Sequence, residues 1–380
     1  MKVAVYSDLE YRQDADGTSS NESFLLFMVH LRRYVEGLTL VGRLDPRPGR
    51  LPYAVPNDVS FTPLAHYESL AQPLSASAAM ARSLRRCWGL LGEIDAVWLL
   101  GPHPLAIAFA LLAALRGRRV VLGTRQDMPA HMRSRHPGRR GIGLATAALE
   151  TAWRWLGRRF PTVVVGPELA RKYRGGELVE IVIPLVDKEQ VVDPEEARRR
   201  SYEGELTVLS VGRIEPEKNP LLLVDAIESL RQRDPRWRLI VCGEGSMMEP
   251  LAARVAERGL GEQIELRGFV ALDAGLRELY RTSHAFLHLS FTEGVPQVLF
   301  EAYAACLPVV ATAVGGVAEI AADAALLIPP ADRDAAVDGL TRIADSADLR
   351  ERLVAAGLQR LEVYSLDEEA AKVAALLTRA

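Results

Sequence analysis

The sequence predicts an α/β protein of two Rossmann-like domains that face each other across an interdomain cleft, and three observations carry this expectation. The chain has 380 residues, 49% hydrophobic and 25% charged, with a mean hydropathy of +0.04. It is too long for one ordinary domain and too apolar for disorder. Short apolar runs alternate with segments of helical period along most of its length, the pattern of repeated βα units on parallel sheets. Between Lys188 and Glu205 that period is lost in the charged stretch DPEEARRRSYEGE, which marks a linker. The expected boundaries are a domain over residues 1–187, a linker over 188–205, a second domain over 206–365 and a terminal helix over 366–380.

In the first half, apolar runs place strands at Val3–Tyr6, Leu38–Val41, Ala96–Leu100, Val120–Leu122, Val163–Val165 and Glu180–Ile183. Helical periods fall at Glu22–Val35, Ser75–Leu91, Leu105–Leu115, Leu144–Leu156 and Glu168–Tyr173. The longest apolar run, Ala96 to Leu115, has the length of a bilayer span at about 20 residues. Gly101-Pro102-His103-Pro104 divides it, so a buried strand followed by a buried helix is expected. The second half alternates more regularly. Its strands are Leu206–Val211, Leu239–Val241, Ile264–Leu266, Ala285–Leu287, Val309–Ala311 and Ala325–Ile328. Helices lie at Pro220–Arg231, Met247–Arg258, Gly275–Arg281, Gln297–Ala305 and Ala335–Ala344, and the helices Ala347–Val363 and Asp367–Thr378 close the chain. Ligands of such folds bind at the carboxyl ends of the strands.

The residue inventory excludes several classes. Cys87, Cys242 and Cys306 are too far apart for a C-x-x-C pair, which argues against a disulfide scaffold or a Cys-ligated zinc site and for a cytoplasmic location. The opening MKVAVYSD has neither a basic n-region nor a long apolar h-region, so no secretory signal is expected. The net charge of −3 conceals an asymmetry: residues 1–187 carry 24 Lys+Arg against 17 Asp+Glu, and the remainder 22 against 32. The basic excess peaks between His131 and Phe160, where Arg133, Arg135, Arg139, Arg140, Arg154, Arg158 and Arg159 face only Glu150, with Trp153 and Trp155 interleaved. Such a stretch fits peripheral contact with an anionic membrane or a phosphorylated acceptor, or equally a solvated basic helix whose tryptophans are core. No nucleic-acid partner is expected.

Two motifs carry chemistry. In Ser290-Phe-Thr-Glu293-Gly294-Val295-Pro296-Gln-Val-Leu-Phe-Glu301, a strand ends in a turn at Gly294 and Pro296 is suited to the first helical position. Backbone N–H groups around Val295 to Val298 would point at an anion, as helix N-termini do for phosphate. Glu301, one turn in, could accept two hydrogen bonds from a vicinal diol such as a ribose, and Glu293 would reach a group beside the phosphate. In Val211-Gly212-Arg213-Ile-Glu-Pro-Glu-Lys218, an Arg and a Lys stand at one sheet edge without a local carboxylate that must claim both. A diphosphate leaving group needs such cations, and the competing expectation is surface ion pairs with Glu215 and Glu217.

Together these residues resemble the retaining glycosyltransferases of family 4, glycosyl transferases group 1, which have the GT-B architecture. The likeness runs through VLSVGRIEPEKNPLLLVDAI, LIVCGEGSMMEPL, IELRGFV and FLHLSFTEGVPQVLFEAYAACLPVVATAVGGVAEI. It implies that Arg213 and Lys218 hold the donor diphosphate, that Glu301 holds the donor ribose, and that Glu293 contacts the transferred sugar beside the backbone of Gly294, Val295 and Pro296. It places the main chain of Gly268, Phe269 and Val270 against the base, with Gly212 and Gly243 also at the donor. It implies a second domain for the donor, a first domain for the acceptor, closure between them, and a final helix that crosses back to the first domain. It implies no metal and no cofactor beyond the donor itself, a UDP-, GDP-, ADP- or dTDP-sugar. The acceptor would be a glycan, a lipid-linked molecule or a small anion such as a sugar phosphate.

The amino half resembles the family in layout only. Where members carry a glycine-rich loop into a helix, this chain has Gly17-Thr18-Ser19-Ser20-Asn21-Glu22, with Ser20 or Asn21 as the helix cap. Where many place a histidine beside the reacting sugar, it offers Arg125, Gln126 and Asp127, and His103 in the preceding turn is a second candidate for the cleft lining. Asp14-Ala15-Asp16 has a metal-binding spacing but lies in the first loop. Gly243-Glu-Gly245 lacks the third glycine of a dinucleotide fingerprint and reads as a tight turn. His284 and His288 lack a third ligand and read as structural. The expected function is retaining transfer of a hexose-type sugar to an acceptor hydroxyl. A non-catalytic nucleotide-sugar-binding protein and a nucleotide-sugar epimerase on the same fold are the alternatives.

Overall fold

The structure is a computed structural model that describes residues 1–70, 72–135, 140–186 and 188–379. The chain forms two compact units, Met1–Ile183 with Leu366–Ala380, and Pro184–Ser365.

Among the described residues, unit 1 holds a nine-stranded sheet. Its strands are β1 (Lys2–Asp14), β2 (Gly17–Ser20), β3 (Gly37–Leu44), β4 (Tyr53–Ala54), β5 (Ser60–Leu64), β6 (Ala96–Gly101), β7 (Arg119–Thr124), β8 (Thr162–Val165) and β9 (Leu178–Ile181). The helices are α1 (Phe24–His30), α2 (Pro73–Leu90), α3 (Pro104–Leu115), α4 (Met128–Arg135), α5 (Arg140–Leu156) and α6 (Pro167–Lys172). The parallel part runs β5-β3-β1-β6-β7-β8-β9, so the strand order reverses between β1 and β6. A crevice opens at such a reversal, at the carboxyl ends of the strands. The long apolar run resolves into β6 and α3 as expected, and among the described residues no helix is long and apolar enough to cross a membrane.

Three expectations for this unit are corrected. The segment read as a loop before a helix is a β-hairpin: β1 continues through Glu10–Asp14 and pairs antiparallel with β2, Tyr11 opposite Ser20 and Asp14 opposite Gly17. Pairing takes Ser20, whose hydroxyl donates to the Glu10 carbonyl at 3.0 Å, so it caps no helix, and α1 starts at Phe24. Asp14 and Asp16 shape the hairpin turn, the Asp16 N–H donating to Asp14 Oδ1 at 2.9 Å. The strand SFTPL was not anticipated because it contains Pro63. It is an edge strand paired only with β3, where a missing N–H costs nothing on the open side. The expected strand over Glu180–Ile183 begins and ends two residues earlier, as β9.

The two tryptophans of the basic stretch divide between the two expectations. Trp153 is fully buried and donates from Nε1 to Thr124 Oγ1 at 3.0 Å, whereas Trp155 is 51% exposed under the Arg159 guanidinium. Arg139 lies outside the described residues.

Unit 2 carries a six-stranded parallel sheet, among the described residues, in the order β12-β11-β10-β13-β14-β15. These strands are β10 (Leu206–Val211), β11 (Trp237–Cys242), β12 (Ile264–Gly268), β13 (Ala285–His288), β14 (Val309–Thr312) and β15 (Ala325–Ile328). Its helices are α7 (Pro194–Arg198), α8 (Pro220–Arg233), α9 (Met248–Glu257), α10 (Arg277–Thr282), α11 (Gln297–Ala304), α12 (Val317–Ala321), α13 (Arg333–Asp345) and α14 (Ala347–Val363). Fully buried Val208, Leu239, Leu287 and Val310 of the sheet meet Val224, Ile227, Val337 and Leu340 of α8 and α13, which fixes strand ends and helix starts against one another. The charged segment 188–205 folds as part of unit 2. Asp193 caps α7, the Val192 N–H donates to the Ala304 carbonyl at 2.7 Å, and Tyr202 donates to the His284 carbonyl at 2.7 Å.

The last helix, α15 (Leu366–Thr378), packs in unit 1. Asp367 pairs with His30 at 2.6 Å and Arg33 at 3.1 Å, and fully buried Glu369 accepts from the Val182 N–H at 3.2 Å.

Candidate functional site

In unit 2 the strand order reverses between β10 and β13, and the segments that leave these two strands converge. The Phe291 N–H donates to the Glu217 carbonyl at 2.8 Å and ties the segment after β13 to the turn after β10. Lys218, from that turn, forms an ion pair with Glu293 Oε1. The same oxygen accepts from His288 Nε2 and from Ser290 Oγ, each at 2.9 Å. Three donors thus converge on one carboxylate oxygen whose side chain is 8% exposed. Burial pushes the Glu293 carboxyl up, but the Lys218 charge and the His288 hydrogen bond outweigh it and hold the group well below the usual carboxylate range. Glu293 is therefore a fixed anion at neutral pH.

Arg213 follows Gly212 at the end of β10 and donates to Glu217 Oε1 at 2.8 Å, with its side chain half exposed. No single carboxylate claims both cations, as expected, and the Arg213–Glu217 pair is one of the ion pairs that the competing expectation named. Each has its own partner, Glu217 or Glu293, because the turn between them brings Glu217 back over Arg213.

Gly243 explains the tightness of this junction. Its φ is +144°, and a Cβ there would lie 1.8 Å from the Gly212 carbonyl oxygen. Its N–H donates to the Gly268 carbonyl at 2.7 Å, and the Ile214 N–H donates to the Glu244 carbonyl at 2.8 Å. The turn Gly243-Glu-Gly245 so joins the ends of β10, β11 and β12. Gly315 acts likewise on the other side, where a Cβ at φ +53° would meet the Glu293 carbonyl oxygen at 1.9 Å. Beyond β12, the side chain of Phe269 is 47% exposed and Val270 is half-buried.

Pro296 stands one residue ahead of the expected position, as the cap residue of α11, with Gly294 and Val295 in the turn before it. Glu301 lies in the second turn of α11. Tyr280 of α10 donates to its Oε2 at 2.8 Å, and both line a cavity of about 170 Å³ with Leu272, Arg277 and Val186. Burial raises the Glu301 pKa, and the Tyr280 hydrogen bond opposes that rise.

Unit 1 gathers a second polar cluster at its own point of reversal. His103 caps α3, accepting from the Leu105 N–H at 3.2 Å through Nδ1, which also lies 2.9 Å from the Tyr6 hydroxyl. Its Nε2 lies 2.9 Å from the Tyr67 hydroxyl, which donates to Asp8 Oδ1 at 2.6 Å. Arg43 pairs with Asp8 and Glu10, both at 3.0 Å. Burial lowers the His103 pKa, so the ring is neutral at physiological pH.

The other amino-half candidates do not join this cluster. Arg125 lies over the Phe24 ring at 4.2 Å and 3.9 Å from Glu22. Asp127 caps α4 through the Ala130 N–H at 3.0 Å and pairs with Lys172 at 2.9 Å. Gly17 and Thr18 belong to the hairpin, Thr18 Oγ1 accepting from Gln13 at 3.3 Å.

Sequence reasoning missed Ser290 and Tyr280 as partners of the site, and Asp8, Arg43 and Tyr67 around His103. It took His288 for a neighbour of His284. The two diverge: His284 accepts from the Thr207 N–H at 3.0 Å, whereas His288 turns to Glu293.

Comparison with known proteins places unit 2 in a class. Residues 192–360 match the family model described as "Glycosyl transferases group 1", so unit 2 carries a domain of that class. The D-inositol 3-phosphate glycosyltransferase of Frankia alni is 36% identical over 198 residues, 48% of each chain. The O-antigen chain mannosyltransferase B of Escherichia coli is 31% identical over 159 residues, 41% of this chain and 42% of that one. The chain thus spans about half the length of the curated relatives it matches. Among solved structures, the sucrose-phosphate synthase of Thermosynechococcus elongatus superposes with a TM-score of 0.76 at 16% identity, covering 99% of this chain and 98% of that one. Anabaena HepE in complex with UDP gives 0.72 at 15% identity, with 100% of both chains covered. These likenesses show the fold, two Rossmann-like units of the GT-B class.

Proposed function

We propose that the protein is a retaining glycosyltransferase of family 4 that moves a hexose-type sugar from a nucleotide-diphosphate sugar to an acceptor hydroxyl. The observation that carries this reading is the convergence of Lys218, His288 and Ser290 on Glu293, in the segment that leads into α11. A fixed carboxylate paired with Lys218 ahead of a helix N-terminus, with Arg213 in the turn that Glu217 ties to the same segment, suits a sugar joined to a diphosphate. Glu293 accepts from sugar hydroxyls, while Arg213 and Lys218 neutralise charge as the diphosphate leaves. Lys218 has three N–H donors, so it can bond phosphate while keeping Glu293. Glu301 accepts from the ribose hydroxyls, and the backbone of Gly268 to Val270 meets the base.

In the transfer step the bond from the anomeric carbon to the phosphate oxygen breaks. The acceptor oxygen bonds to that carbon on the same face, and its proton passes to the departing phosphate oxygen. No metal or dedicated base enters this scheme. The candidate donors are UDP-, GDP-, ADP- and dTDP-sugars, and UDP is tried first because the HepE structure holds it. Unit 1 takes the acceptor, a glycan, a lipid-linked molecule or a small anion. The inositol-phosphate relatives support the last of these. The reading includes a cytoplasmic location and peripheral contact of the basic half with an anionic membrane.

The test is to incubate the protein with each nucleotide sugar and record release of the nucleoside diphosphate and the anomeric configuration of the transferred sugar by NMR. Release from one donor with retained configuration is expected. Inverted product overturns the retaining mechanism, and binding without any release favours a non-catalytic nucleotide-sugar-binding protein.

A further inference from the structure

We propose that the outer face of the α2, α3 and α5 layer of unit 1 docks onto an anionic lipid membrane. The inference rests on the membrane contact in the reading above and stands apart from the donor site in unit 2. Cys87 and Leu90 of α2, Phe109 of α3, and Trp153 and Leu156 of α5 share one core cluster, so the three helices cover one face of the sheet and turn their opposite sides outward together.

That outward side is unusually apolar. Leu115 of α3 is 76% exposed and Leu144 of α5 is 74% exposed, with Leu111, Trp155 and Trp88 also exposed on the three helices. On α5, Leu144, Ala148, Thr151 and Trp155 recur at helical spacing and form one exposed stripe. Exposed apolar groups clustered on adjacent helices mark an interaction surface.

Among the described residues, the charge that these three helices expose has one sign. Neither α2 nor α3 contains an Asp or Glu, and the single acid of α5, Glu150, is buried against Tyr173 and Lys172. Glu93 follows only after the end of α2. Arg82, Arg85, Arg116, Arg154, Arg158 and Arg159 are exposed around the apolar groups. Arg116 lies over the Trp88 ring at 3.7 Å and Arg159 over the Trp155 ring at 4.8 Å, which presents cation and indole together. Arginine at the headgroups with Trp and Leu at the acyl boundary is the chemistry of a protein resting on an anionic bilayer. A second copy of the chain would set these like charges against each other. A nucleic acid would leave Leu115 and Leu144 facing phosphates.

The experiment sediments the full chain with vesicles of phosphatidylcholine alone or mixed with phosphatidylglycerol, at low and high salt. Two variants accompany it, Leu144→Glu/Trp155→Glu and Arg154→Glu/Arg158→Glu, with nucleotide binding by unit 2 recorded for each as the control for folding. Binding to the anionic vesicles at least about tenfold above the neutral ones, weakened by salt and lowered about tenfold or more in both variants, is expected. Equal binding to both vesicles, no binding to the anionic ones, or unaltered binding by either variant overturns the proposal. So does tighter binding to a duplex RNA than to the vesicles. Should a glutamate variant fail to fold, Trp155→Ala replaces it, and its vesicle binding must still fall. Loss of vesicle binding with nucleotide binding intact bears on this face alone, whereas absence of nucleotide binding in the wild type bears on the donor reading.

Discussion

His288 Nε2 lies 2.9 Å from Glu293 Oε1, and both side chains are more than nine-tenths buried. The imidazole helps to fix a carboxylate that Lys218 also claims, so His288 acts through Glu293 as a positioning residue. His288→Ala should lower kcat by about tenfold to a hundredfold while the donor nucleotide Kd moves little, since the proposed nucleotide contacts are made by other residues. His288→Gln, which keeps an N–H donor of similar reach, should restore much of the rate. Equal losses in kcat and nucleotide affinity, or no rescue by Gln, would give His288 a merely structural role.

The two cations should separate by burial. Arg213 is half exposed, so Arg213→Ala should leave stability within about 0.5 kcal/mol and slow turnover on the order of a hundredfold, more than it weakens ground-state binding. Lys218→Ala leaves Glu293 charged and buried with its main counter-charge gone, and should also destabilise the fold by about 3 kcal/mol. Urea unfolding and steady-state kinetics on both variants distinguish the two.

With Glu301 holding the donor ribose as proposed, donor binding should depend on pH. Burial raises its pKa above the ordinary 4.5, and the Tyr280 hydrogen bond holds the rise in check. Only the ionised carboxylate accepts fully from two ribose hydroxyls, so nucleotide affinity should fall as pH drops through the raised pKa. Removing the bond in Tyr280→Phe lifts the pKa further, and the loss should then begin at higher pH than in the wild type. Nucleotide Kd from neutral to acidic pH measures the shift, and a variant whose loss begins at lower pH contradicts the assignment.

Much of unit 2 was legible because its strands are short apolar runs between amphipathic helices, and Gly212, Gly243, Glu293 and Glu301 fall at the junctions where local rules place turns and helix starts. The partners of those residues were not legible. Tyr280 reaches Glu301 from another helix, and His288 looks like half of an i, i+4 pair until the strand end turns it toward Glu293. In unit 1, β1 continues through YRQD, whose polar side chains give no alternation, and the hairpin with β2 becomes evident only from pairing. Asp8, Arg43, Tyr67 and His103 come from four segments that only the folded sheet brings together.

Gly315 offers a test of the backbone. A Cβ there would meet the Glu293 carbonyl oxygen at 1.9 Å, and φ is already +53°. Gly315→Ala should cost about 3 kcal/mol or more in urea unfolding and should displace Glu293, so the folded fraction should also turn over more slowly. A variant as stable and as active as the wild type would show that the Glu293 backbone has another way to settle.

The most direct measurement of the central claim is calorimetric titration of UDP, GDP, ADP and dTDP into the wild-type protein and into Glu301→Ala. Saturable binding of one nucleotide, weakened about tenfold or more in the variant, is the predicted result. Binding of none of the four, or equal affinity in both proteins, would contradict a nucleotide-sugar site built on α11.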